Sequence, residues 1–103
     1  MSKSISYQNY LIDSLKDPEE AAGYLNAALE GGEIEVFLLA LQNVVKAQGG
    51  FAKTASHLKK SRTSLYKSLT KNGNPYLKNI HDILLNLNMR LIISAKKNRK
   101  KTI

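Results

Sequence analysis

The chain of 103 residues has no cysteine, two prolines and, beyond residue 50, a single acidic side chain, Asp82. The first absence rules out disulfides and thiolate metal sites, and is compatible with a reducing compartment. The longest apolar run, Val36 to Leu41, is far shorter than the ~20 residues that cross a bilayer, and the N-terminus has no apolar signal-peptide core. A soluble, cytoplasmic protein with no membrane partner is expected. Catalytic groups are equally scarce. His57 and His81 stand apart, with no His or carboxylate cluster at metal-ligand spacing and no nucleophile paired with a base. Gly49-Gly50 lacks the strand and lysine context of a phosphate loop and reads as a helix breaker. The expectation is a protein that is not an enzyme and needs neither cofactor nor metal.

What is present is divided by sign. Residues 1 to 50 hold three lysines against seven acids, a net charge of −4, whereas residues 51 to 103 hold thirteen Lys or Arg against one acid, a net charge of +12. An anion-seeking surface therefore belongs to the second half, and the first half suits a basic partner.

The most informative stretch is Gly50 to Pro75, which reads as a helix-turn-helix. Phe51, Ala55 and Leu58 recur at helical spacing, as do Leu65 and Leu69, giving two short helices with one apolar face each. Ala55 is small where the helices cross, and Ser61 is a good N-cap for the second. Projected at 3.6 residues per turn, that second helix turns Leu65 and Leu69 inward and leaves Thr63, Ser64, Lys67, Thr70 and Lys71 outside, with Arg62 and Tyr66 on the flank. The outer face carries cationic and hydrogen-bonding groups and no carboxylate, which suits phosphates and the base edges of a major groove. Lys59, Lys60, Lys67 and Lys71 are placed to neutralise phosphates; Arg62, Thr63, Ser64 and Lys67 are placed to reach bases.

Around this stretch the chain reads as follows. Residues 1 to 16 show no sustained helical period and form an N-terminal arm whose Tyr7, Tyr10, Leu11, Ile12 and Leu15 need something to pack on. Asp17-Pro18-Glu19-Glu20 starts a helix, by capping, fixed φ and dipole complementarity, that runs to about Glu30 with Ala21, Leu25, Ala28 and Leu29 inward. Gly31-Gly32 ends it. A helix over about 33 to 48, the most buried element, offers Ile34, Phe37, Leu38, Leu41, Val44 and Val45 to the core. After the helix-turn-helix, Asn72-Gly73 is a stop, and Asn74 before Pro75 is placed to cap a helix over about 75 to 87 that carries Leu77, Ile80, Leu84 and Leu87. Residues 90 to 95, β-branched at their centre, predict one short strand that needs a partner: the N-terminal segment, its copy in a second protomer, or another protein. Residues 96 to 103 are a basic tail.

Three blocks, Asp17 to Glu30, Arg62 to Leu69 and Gly73-Asn74-Pro75, resemble in order the HigA-like addiction-module antidote proteins, over about residues 7 to 95. The resemblance implies a mainly α, five-helix, phage-repressor-like domain over residues 17 to 95 that acts as the antitoxin of a type II toxin–antitoxin pair. It further implies a RelE/ParE-superfamily toxin as partner, and repression of its own operon by the antitoxin or the complex; a homodimer on a two-fold, double-stranded operator is expected with it. Ser61, Arg62, Thr63, Ser64 and Lys67 match the DNA-reading start of the family's second motif helix. Tyr7, Tyr10, Leu11, Ile12 and Leu15 match its variable arm, which implies toxin contact. Lys59 and Asn88 stand where glycines are common, so each is expected to loosen its turn or to adopt a left-handed conformation, which asparagine tolerates better. A stand-alone phage-type regulator, and an interaction module that has lost DNA binding, are the rival readings.

Overall fold

The computed structural model describes residues 3–70 and 74–96, with side-chain surroundings from residue 7 onward. Six helices follow one another: α1 (Lys3–Ser14), α2 (Pro18–Glu30), α3 (Ile34–Ala47), α4 (Gly50–His57), α5 (Arg62–Ser68) and α6 (Leu77–Asn86). The described residues contain no strand. The mainly helical expectation holds, with one helix more and one strand fewer.

α3 is the element on which the rest is built. Its Phe37, Leu38, Ala40, Leu41, Val44 and Val45 are all buried, and burying each large aliphatic side chain stabilises the fold by about 1.5–3 kcal/mol. α2 lays Ala21 and Leu25 on it, α4 adds Phe51 and Ala55, α5 adds Leu65 and Leu69, and α6 closes the core with Ile80, Ile83, Leu84 and Leu87. Each helix packs most closely on the next in the chain or the next but one.

Local chemistry explains the boundaries. Asp17, extended at φ −79° and ψ 121°, accepts from the Glu19 amide at 3.1 Å, and Pro18 fills the first helical position as expected. Gly49 and Gly50, at φ 116° and 92°, turn the chain sharply from α3 into α4, through a backbone region that side chains avoid. Lys59 and Asn88 both adopt the left-handed conformation, at φ 56° and 66°. Each sits just past a helix end in a Schellman arrangement: the Lys59 amide donates to Ser56 O and the Lys60 amide to Ala55 O, at 3.1 and 2.9 Å. The Asn88 amide donates likewise to Leu85 O and the Met89 amide to Leu84 O, at 3.0 and 2.8 Å. The turn between α4 and α5 is therefore tight without a glycine.

Four expectations need correction. The arm is not irregular: residues 3 to 14 form α1, held because Leu15 and Leu11 pack into the core and because Gln48 Nε2 donates to Leu15 O and Lys16 O at 2.8 and 3.1 Å. Tertiary contact supplies what the weak local period lacks. Residues 90 to 95 are not a strand, because no segment among the described residues offers them a ladder partner; Leu91 is 41% exposed and Ile93 96%. α6 starts at Leu77, with the extended Tyr76 at the cap position and no side-chain cap, rather than at Pro75 with Asn74 capping. Finally, Leu29, Ile34 and Leu77, expected inward, are about half or more exposed. The expected stop at Asn72-Gly73 lies outside the described residues.

Lys59 carries a left-handed strain of roughly 1–2 kcal/mol that glycine would not. Lys59→Gly should therefore raise stability by on the order of 0.5–1 kcal/mol, after the extra unfolded-state freedom of glycine is offset, and Lys59→Val should lower it. Urea midpoints at constant m-value read both changes.

Candidate nucleic-acid interface

The α4–turn–α5 unit is built from the inside out. Phe51 and Ala55 of α4 and Leu65 and Leu69 at α5 are buried, and α4 packs directly on α5. Tyr66 lies edge-on to Phe51, with ring centroids 5.4 Å apart and planes at 71°; such a pair adds about 0.5–1.5 kcal/mol beyond its area. Tyr66 is thereby steered along the flank of α5, half exposed.

Two side chains fix the ends of α5. At its start Ser61 Oγ accepts from the Ser64 amide at 3.0 Å, the N-cap that the sequence predicts. At its end Gln42 Nε2, reaching out from α3, donates to Leu69 O at 3.2 Å. Ser68 Oγ donates to Leu65 O at 2.7 Å, so this hydroxyl is spent on the helix itself. α4 is tied in turn to α6 by a 3.0 Å contact between His57 Nδ1 and Asn86 Oδ1.

What this frame presents is a polar, cationic and carboxylate-free face. Lys59, Ser61, Arg62, Thr63, Ser64, Lys67 and Thr70 are exposed, and Lys60 is half-buried. Ion pairs among the described residues are Lys16 with Asp13 at 3.5 Å and Lys78 with Asp82 at 3.0 Å, both elsewhere. None of the cations on the α4–α5 unit is neutralised by an acid among the described residues. Thr63 and Ser64 offer hydroxyls between Arg62 and Lys67 on the same short helix. Such a face can take phosphate oxygens and base edges together. The structure thus brings together Lys59, Lys60, Ser61, Arg62, Thr63, Ser64, Tyr66 and Lys67, whereas Lys71 and the tail from residue 97 lie outside the described residues.

The second group of sequence candidates is split. Tyr7 and Tyr10 are exposed on α1, Leu11 and Ile12 are half-buried, and Leu15 is 2% exposed in the core. Leu15 therefore holds the fold and is not available as a contact. Leu11, Tyr24, Glu19 and Glu20 line an open cavity of about 410 Å³ between α1 and α2. Tyr24 is held there by Asn43 Nδ2, which donates to its hydroxyl oxygen at 3.0 Å.

Sequence reasoning missed Gln42, Asn43 and Gln48, the polar side chains of α3 and its end that fix α5, α2 and α1. Their only signal is polarity inside an otherwise apolar helix. Among the described residues no group of His, Asp or Glu could hold a metal ion, and no helix is long and apolar enough to cross a membrane.

Residues 6–95 match the model of a family described as probable addiction module antidote protein. A protein of Haemophilus influenzae, described as uncharacterized, is 31% identical over 80 residues, spanning 78% of this chain and 81% of the relative. No solved structure matches the chain.

Ser61 is the side-chain N-cap of α5, a helix too short to stand alone. Ser61→Ala should lower stability by about 1 kcal/mol, and Ser61→Asp should retain most of it. Thermal unfolding followed by circular dichroism measures the pair.

Proposed function

The chain belongs to the family of probable addiction module antidote proteins, and from this we propose that it is a DNA-binding antitoxin of a type II toxin–antitoxin module. It neutralises a small basic toxin of the RelE/ParE superfamily by direct binding and, as a homodimer in the cytoplasm, represses its own operon. In fold it is a phage-repressor-like, HigA-like helix-turn-helix protein that performs no catalysis. The observation that carries the DNA-binding half of this reading is the outer face of α5: Arg62, Thr63, Ser64 and Lys67 exposed together, with no acid beside them.

Each residue has a role under this reading. Arg62 offers a planar fork to a guanine edge or a phosphate, Thr63 and Ser64 donate or accept at base edges, and Lys59, Lys60, Lys67 and Lys71 neutralise phosphates. Tyr66 buttresses the face through Phe51. The toxin takes the other pole. Tyr7 and Tyr10 supply apolar contact with a polar tip, and the α1–α2 cavity with Glu19 and Glu20 at its edge receives a lysine or arginine of the partner. The two poles are opposite in charge, so one partner does not compete with the other for the same surface.

On the upstream promoter fragment, Arg62→Ala and Ser64→Ala should each weaken specific binding by about 1–3 kcal/mol with helicity unchanged, and Lys60→Ala should lower the log–log salt slope by roughly 0.9. Unchanged affinity and slope in all three variants would remove the DNA-reading role.

For the toxin, point substitution is the right test, since removing residues 1 to 15 would also take Leu11 and Leu15 from the core. Co-expressed with the adjacent gene product, Tyr7→Ser/Tyr10→Ser and Glu19→Lys/Glu20→Lys should fold normally and lose most toxin capture and growth protection. Full protection by both variants would place the toxin elsewhere.

A further inference from the structure

A third surface has no part in either pole. Leu29 and Ile34 flank the α2–α3 turn, Leu77 opens α6, and Leu91, Ile92 and Ile93 follow it; their exposures run from 41% to 96%. All but Ile93 are contiguous. Leu29, Ile34, Leu77 and Leu91 line one open cavity of about 320 Å³, and Leu29, Leu91 and Ile92 line its neighbour of about 260 Å³. Soluble monomers seldom leave so many large aliphatic side chains uncovered in one place.

We infer that two copies of this chain associate through this surface, each contributing its segment 89–96. Charge favours a second copy over a basic protein. Exposed Glu30 and Glu33 adjoin Leu29 and Ile34, while exposed Arg90 and Lys96 bracket the aliphatic segment. A surface with both signs is complementary to itself under a two-fold rotation, whereas a cationic toxin would meet Arg90 and Lys96. Backbone chemistry agrees. Residues 90 to 95 have the composition of a strand and no partner strand among the described residues. Antiparallel pairing with its own copy, centred on Ile92, sets Ile92 on Ile92, Leu91 on Ile93 and Arg90 on Ser94, so no like charges face each other.

Placement supplies a third argument, which rests on the proposed operator binding. Pro75 lines both the 320 Å³ cavity and a cavity of about 370 Å³ that Ser64 and Lys67 also line. The association surface therefore begins beside α5, so association through it brings both α5 helices into one particle, as reading a two-fold operator demands.

The test is the solution mass of the full chain, by light scattering on a sizing column, for the wild type and for two variants on different elements, Ile92→Glu/Ile93→Glu and Leu77→Lys. All three positions are at least 70% exposed, so helicity should stay as in the wild type, while melting falls only as far as the lost dimer contact lowers it. The wild type is expected at twice its 11.5 kDa chain mass, and both variants should dimerise at least about tenfold more weakly while still capturing toxin. A monomeric wild type, or a dimer undiminished in both variants, overturns the assignment. So does loss of toxin capture with an unchanged mass, which would give the surface to the toxin. A wild type that is dimeric through this surface yet fails on operator DNA supports the interface while removing the DNA-reading role.

Discussion

The burial of α3 constrains everything else in the molecule. A helix with Phe37, Leu38, Ala40, Leu41, Val44 and Val45 all withdrawn from water cannot exist alone, and needs neighbours around most of its circumference. α1, α2 and α4 pack against it directly. Its polar positions carry as much information as its apolar ones. Gln42 holds the end of α5, Asn43 holds Tyr24 of α2, and Gln48 holds the end of α1. A buried polar group left without a partner costs about 1–3 kcal/mol, so the buried Asn43 specifies where Tyr24 must sit, and the half-buried Gln42 and Gln48 do the same more weakly. The cationic face and the tyrosine-bearing helix are thus both referenced to one rigid rod.

Much of this arrangement could be read from local patterns, and the misses share a physical cause. α2 was legible because its start signal, Asp17-Pro18-Glu19-Glu20, acts within one turn of chain. α5 was legible because Ser61, Leu65 and Leu69 suffice to orient seven residues. α1 was not, since its hold on the core comes from Leu11 and from Leu15 just past its end, and a donor more than thirty residues away, Gln48, secures that end. Residues 90 to 95 misled for the converse reason: their composition reports a preference for pairing, and composition cannot say whether a partner is present. Leu29, Ile34 and Leu77 fall on the inward side of their helices by periodicity, but periodicity does not tell how far the neighbouring element extends to cover them. Of the candidate surface, the cations and hydroxyls of residues 59 to 67 are exposed as expected except for the half-buried Lys60, whereas the side chains that aim them were invisible.

Lys59 and Asn88 show how little a missing glycine means by itself. Both occupy the left-handed position of a Schellman ending, and both endings are secured by two backbone hydrogen bonds. Asparagine enters that region readily. Lysine does so at a cost of roughly 1–2 kcal/mol, which is comparable to burying one aliphatic side chain and is covered by the α4–α5 contact. What the chain gains is a cation at the turn, continuous with Lys60 and Arg62.

The pattern of neighbours, each helix resting on the next or the next but one, also bears on how quickly the molecule assembles. Contacts close in sequence require only short loops to close, and the entropy of closure grows with loop length. Helical domains wired in this way reach the native state in microseconds to milliseconds, faster than sheet proteins of similar size. The fold of each copy can therefore close soon after α6 is available, and what remains slow is any step that brings two molecules together.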